Sequence, residues 1–175
     1  MDELPSNFFG FELGPMDSRR RDKLVLFVFL IVTLAVGALA SLFTEPGVSV
    51  WYQTLSRPDF GPPNWLFAPI WTALYLLMAY AAWRVWCVSG LHNTAMALYA
   101  IQLALNFAWV PIFFALHWIE TAFFEILILF AFVAAAAIAF WRCQPLAGLL
   151  LVPYLGWVGF AAALNGAIWQ LNGTG

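Results

Sequence analysis

The sequence predicts an all-α integral membrane protein, a bundle of five transmembrane helices. Two observations of composition and one of pattern predict it. Of 175 residues, 64% are hydrophobic and only 9% charged, and the mean hydropathy is +0.86. That is too little charge to clothe a water-soluble surface. The pattern is five apolar runs, each about 20 residues or longer and so able to cross roughly 30 Å of hydrocarbon.

Residues 1–23 read as a disordered, basic N-terminal tail ending in Arg19-Arg20-Arg21-Asp22-Lys23, with Met16 an alternative start. The first run covers 24–43. Basic residues, an apolar stretch and Ala38-Leu39-Ala40 mimic a cleavable leader, but the run is long for one and lacks a clear cleavage region, so it is read as a span. Residues 44–64 form a loop rich in Pro and Trp. Pro fixes φ and restricts the residue before it, so Pro58, Pro62 and Pro63 stiffen this loop, which reads as a lid carrying Trp51 and Arg57.

The remaining runs cover 65–88, 95–116, 119–141 and 146–169. The short turns between them force antiparallel neighbours, and an odd number of spans puts the termini on opposite sides. Arg19, Arg20, Arg21, Lys23, Arg84 and Arg142 fall on one side and only Arg57 on the other. This bias predicts a cytoplasmic N-terminus and an external first loop.

Function classes narrow quickly. A net charge of −2 argues against a nucleic-acid partner. Cys87 and Cys143 have no CxxC or Cys/His spacing, so neither a disulfide framework nor a metal motif is indicated. His92 and His117 read as turn residues, which leaves no nucleophile–base arrangement and no axial haem ligand in the membrane.

Periodicity then picks out faces. Gln102, Asn106, Trp109 and Phe113 recur at helical spacing on the third run. An amide facing lipid would go unsatisfied, so both should face the bundle interior. Gln102 reads as an interhelical amide bond; for Asn106 that reading and a ligand contact both stay open. Trp71, Tyr75, Met78 and Ala82 share a face of the second run, and Tyr154, Trp157, Ala161 and Asn165 a face of the fifth. Trp51, Trp65, Trp118, Trp141 and Trp169 fit an interfacial aromatic belt. Trp71 and Trp157 lie deeper, as bundle core or as the wall of a site. Ala100, Ala104 and Ala108 make a small-residue ridge suited to a dimer seam, though Ala131, Ala135 and Ala139 repeat the pattern. Glu125 sits inside the fourth run, either functional or paired, or reached by water near the external end.

Taken together, Trp51-Tyr52, Arg57-Pro58, Pro62-Pro63-Asn64-Trp65, Pro69-Ile70-Trp71-Thr72-Ala73-Leu74-Tyr75, Leu105-Asn106-Phe107-Ala108-Trp109, Pro153-Tyr154-Leu155-Gly156-Trp157 and Leu164-Asn165 resemble the TspO/MBR family of tryptophan-rich sensory and translocator proteins (the peripheral benzodiazepine receptor family), in its bacterial form. The resemblance implies a five-helix bundle in a bacterial membrane, a homodimer, and a pocket under the first loop. It implies binding of porphyrins such as protoporphyrin IX, or of other lipophilic small molecules, with membrane lipid as a further partner and no intrinsic cofactor. Trp51 resembles the family's loop tryptophan. Trp71 and Trp157 resemble a pocket pair tied to light-dependent porphyrin breakdown, and would be catalytic only in that chemistry. Asn106, Trp109, Tyr154 and Ala161 match pocket positions, beside Tyr75 and Phe113 from the stripes, and Glu125 falls where many relatives carry Asp.

The leading expectation is a membrane receptor for tetrapyrroles; alternatives are photo-oxidative degradation and transport of porphyrin or lipid. One departure matters. The animal members' cholesterol pattern near the C-terminus needs a Tyr and an Arg, and here Gly166 and Gln170 stand in their places.

Overall fold

The computed structural model describes residues 17–49 and 51–173, and for 45–49 the backbone alone. In chain order the elements are α1 (Ser18–Ser49), a short α2 (Trp51–Thr54), a 3₁₀ turn (Asn64–Leu66), α3 (Phe67–Ser89), α4 (Thr94–Val110) running into a π-helical turn (Pro111–Ala115), α5 (Ile119–Cys143) and α6 (Pro145–Asn172). No strand occurs among the described residues. Five helices (α1, α3, α4 with its π turn, α5 and α6) are long and apolar enough to span a bilayer. The protein is an integral membrane protein with the expected five-helix architecture.

Element ends follow local chemistry. Gly90, at φ 69°, closes α3 in a conformation that favours Gly. Asn93 then caps α4, its Oδ1 accepting the Met96 N–H at 2.9 Å while its Nδ2 donates to the Gly90 carbonyl at 2.8 Å. Pro111 disrupts the α-helical ladder, and the chain continues as one π turn closed by the Leu116 N–H on the Pro111 carbonyl at 2.9 Å. Pro145 starts α6, where its missing N–H costs nothing.

The boundaries differ from expectation most at α1. It begins at Ser18, so 18–23 are helical and not part of a disordered tail: Arg and Lys are good helix formers, and Asp17 Oδ1 accepts the Arg19 N–H at 3.4 Å. Residues 1–16 of the expected tail lie outside the described residues. At its other end α1 runs to Ser49, so within the expected loop of 44–64 only 55–63 lack helical structure among the described residues.

Lipid tails are as apolar as leucine, so packing here relies on close approach. Ala79, Ala81, Ala82, Ala122, Ala136 and Ala147 are fully or almost fully buried. Gly148 and Gly166 let α6 lie hard against α5: a Cβ on Gly148 would stand 2.6 Å from the Trp141 Cβ, and one on Gly166 2.8 Å from the Phe123 ring. The main core joins Leu74, Met78 and Val85 of α3 to Tyr99 and Leu103 of α4, Leu129 and Val133 of α5, and Leu151 and Val158 of α6. A smaller cluster of Tyr52, Phe113, Ala122, Leu164 and Ile168 sits at the loop end. Helix α1 is seated most lightly: 11% of its most apolar stretch is buried, against 28–33% for the other four spans. Ala100 and Ala104 face outward from α4.

Candidate functional site

A cavity of about 780 Å³ opens among the helices at the loop end. That lies within the usual range for ligand pockets, roughly 300–1,000 Å³. Its walls come from α1 (Gly37, Ala38, Ser41), α2 (Tyr52), α3 (Phe67, Trp71, Tyr75), α4 and its π turn (Asn106, Trp109, Phe113), α5 (Ile126, Leu129) and α6 (Trp157, Ala161, Asn165).

The deep end is held by a hydrogen-bonded chain across three helices. Tyr75 Oη donates to Asn106 Oδ1 at 2.7 Å, Asn106 Nδ2 to Tyr154 Oη at 3.1 Å, and Tyr154 Oη to Gln102 Oε1 at 2.9 Å. All four side chains are buried. Asn106 thus makes the interhelical amide bonds that its position allowed, and it also lies on the cavity wall. Gln102 serves the chain without lining the cavity. A second node ties the loop end together: Trp109 Nε1 donates to Asn165 Oδ1 at 3.2 Å, and Asn165 Nδ2 to the Ile119 carbonyl at 3.0 Å.

Aromatic rings make up much of the remaining wall. Trp71 stacks on Tyr75 with centroids 5.5 Å apart and meets Trp157 edge to face at 6.5 Å and 89°. Trp109 stacks on Phe113 at 5.0 Å. These are ordinary aromatic separations. The Trp157 Nε1 hydrogen is buried with no acceptor among the described residues.

Of the expected ligand-contacting residues, the structure puts Trp71, Tyr75, Asn106, Trp109, Phe113, Trp157 and Ala161 on the cavity. Tyr154 lies behind the wall, fully buried in the hydrogen-bonded chain. Trp51 also stands back: its ring stacks on His117 at 4.1 Å and meets Phe113 at 5.5 Å, bracing the turn where His117 takes a left-handed φ of 60°. Within the 44–64 stretch the cavity is reached by its neighbour Tyr52, and by Thr44 and Asn64 at the two ends. Arg57, Pro58, Pro62 and Pro63 do not line it either. Instead Arg57 covers the Tyr52 ring at 5.3 Å. Burial pushes the Tyr52 phenol above its usual value of 10, and the Arg57 charge partly opposes the shift. The loop itself is pinned to the end of α6, where Asn172 Oδ1 accepts the Ser56 N–H and Asn172 Nδ2 donates to the Ser56 carbonyl, both at 2.9 Å.

Sequence reasoning missed α1 as a wall. Gly37, Ala38 and Ser41 are small and carry no polar stripe, so only contact geometry reveals them. Glu125 is not on the cavity; both of its carboxyl oxygens are buried, with no hydrogen-bond partner among the described residues. Among the described residues no three metal-binding side chains cluster.

A sequence profile described as the TspO/MBR family matches residues 29–170. The chain is 39% identical over 148 residues to "Protein CrtK" of Rhodobacter capsulatus, covering 83% of this chain and 91% of that one. It is 40% identical over 153 residues to "Tryptophan-rich protein TspO" of Chlorobaculum tepidum, with 85% and 96% covered. It is also 39% identical over 126 residues to the human "Translocator protein", with 70% and 75% covered.

Proposed function

This chain belongs to the TspO/MBR family, and from that premise we propose that it is a membrane receptor that binds a porphyrin or another flat lipophilic ligand in the cavity under the first loop. The observation that carries the proposal is the wall formed by Trp71, Tyr75, Trp109 and Trp157 around a cavity of about 780 Å³. Flat rings of this kind favour a flat conjugated ligand, gripped by its faces. The names "Tryptophan-rich sensory protein" and "Translocator protein" borne by relatives agree with a receptor role. In this reading the N-terminus is cytoplasmic, the first loop is external, and two copies form a homodimer.

The test is a titration of the purified protein with protoporphyrin IX, followed by tryptophan fluorescence. Saturable quenching is expected, with smaller amplitude and weaker binding in Trp71→Phe/Trp157→Phe. Quenching that never saturates, or that is the same in the double variant, rejects the proposal.

A second reading rests on the Trp71–Trp157 pair, two indoles 6.5 Å apart on one cavity wall. Electron-rich indoles beside a bound photosensitiser are positioned for light- and oxygen-dependent degradation of the porphyrin. Illumination of the complex in air should then give a product absent when free porphyrin is bleached under the same light. Identical bleaching in both samples rejects this activity and leaves the receptor reading intact.

A further inference from the structure

The cavity makes no use of the basic end of the bundle. There Arg19, Arg20 and Lys23, with Asp17 and Leu24, line a groove of about 390 Å³. These cations occupy the first turns of α1, which carry no acidic residue in the first turn, at the end of the helix where the backbone dipole is already positive. Among the described residues little nearby offsets them. Asp22 sits 3.7 Å from Arg21, and Arg21 turns away onto the Trp86 ring at 5.6 Å. Among the described residues neither Arg20 nor Lys23 has a carboxylate within ion-pair distance.

The groove leads into an apolar track. Arg20, Leu24, Phe27 and Ile31 follow one another at helical spacing down one face of α1, and Leu24, Phe27 and Ile31 are 48–60% exposed. The Trp83 Nε1 donates to the Asp22 carbonyl at 2.9 Å, which fixes the start of α1 against the end of α3. The groove is therefore anchored to the bundle.

We propose that this groove seats one anionic phospholipid, its phosphate held by Arg19, Arg20 and Lys23 and one acyl chain lying along Leu24, Phe27 and Ile31. Charge complementarity selects the headgroup: among the described residues lining the groove, three cations face the single carboxylate of Asp17. A phosphatidylcholine would bring its own cation into this field, and free phosphate would leave the apolar track empty.

The experiment is native mass spectrometry of the full chain released from detergent with equal amounts of phosphatidylglycerol and phosphatidylcholine. A one-to-one phosphatidylglycerol adduct is expected to predominate. In Arg20→Gln/Lys23→Gln it should fall by roughly thirtyfold, from about fivefold per cation at a membrane surface. Arg84→Gln/Arg142→Gln, with the same charge loss on the same side but outside the groove, should keep it. Circular dichroism on the same samples checks that each variant is folded. Equal retention of both lipids, equal loss in both double variants, or displacement of the lipid by millimolar inorganic phosphate overturns the proposal.

Discussion

Replacing Gly37 by Ala tests how the cavity is built. The new Cβ would collide with Tyr75 Cε2 and lie 2.8 Å from Cδ2 and 3.0 Å from Cζ. Carbon atoms prefer about 3.5–4.0 Å, so the ring must retreat by roughly 1 Å or α1 must lift away. Ring retreat stretches the 2.7 Å bond from Tyr75 to Asn106 and leaves the buried Asn106 Oδ1 without a donor. Overpacking costs about 1–3 kcal/mol, and an interhelical hydrogen bond lost within a membrane about 0.6–2 kcal/mol. The expected destabilisation is therefore about 2–5 kcal/mol, read as a lower midpoint of unfolding in mixed micelles. Trp71 rests on Tyr75, so protoporphyrin affinity should fall as well, tenfold for each 1.4 kcal/mol of binding lost. In a Tyr75→Phe background there is no bond to Asn106 left to break, and Gly37→Ala should cost less. The reasoning is refuted if Gly37→Ala unfolds and binds like the parent, or if its cost is the same in both backgrounds.

Two other predictions are independent of that contact. Tyr154→Phe removes the hydroxyl that accepts from Asn106 and donates to Gln102. It should lower stability by about 1–3 kcal/mol, with a weaker protoporphyrin titration, although Tyr154 does not line the cavity. Tyr52 supplies a pH dependence. Its folded-state value is raised by burial, so its contribution is fully present below pH 10, where the unfolded phenol is still neutral. Stability should fall as pH rises from about 10 through the folded value, and Tyr52→Phe should remove that alkaline component of the unfolding midpoint.

Much of this architecture was legible because lipid imposes simple rules. A run of about 20 apolar residues crosses the bilayer, and a short turn brings the next one back. The site was legible by face but not by depth. The stripe of Gln102, Asn106, Trp109 and Phe113 does point inward, yet the Gln102 side chain ends in the hydrogen-bonded chain while the other three reach the cavity. Tyr154 and Trp157 share a face of α6, but Tyr154 is drawn between Asn106 and Gln102 and leaves the cavity to Trp157. Trp51 illustrates the same limit: its place in a motif says that it matters, and only its stacking on His117 says how. Gly166, which stands where the cholesterol pattern needs a Tyr, faces the Phe123 ring so closely that even a Cβ would force that ring to move. The departure in sequence has a packing partner on the neighbouring helix.

The light seating of α1 reaches beyond the fold. This helix supplies Gly37, Ala38 and Ser41 to the cavity, yet only 11% of its most apolar stretch is buried by the rest of the chain. The rest of that stretch is left for the surrounding acyl chains to cover. For the proposed receptor function this makes the membrane part of one cavity wall, so that its lateral pressure and thickness are expected to enter the binding free energy of a ligand. Affinities measured in micelles, thin bilayers and thick bilayers should then form a graded series, with bilayer mechanics as the tuning variable.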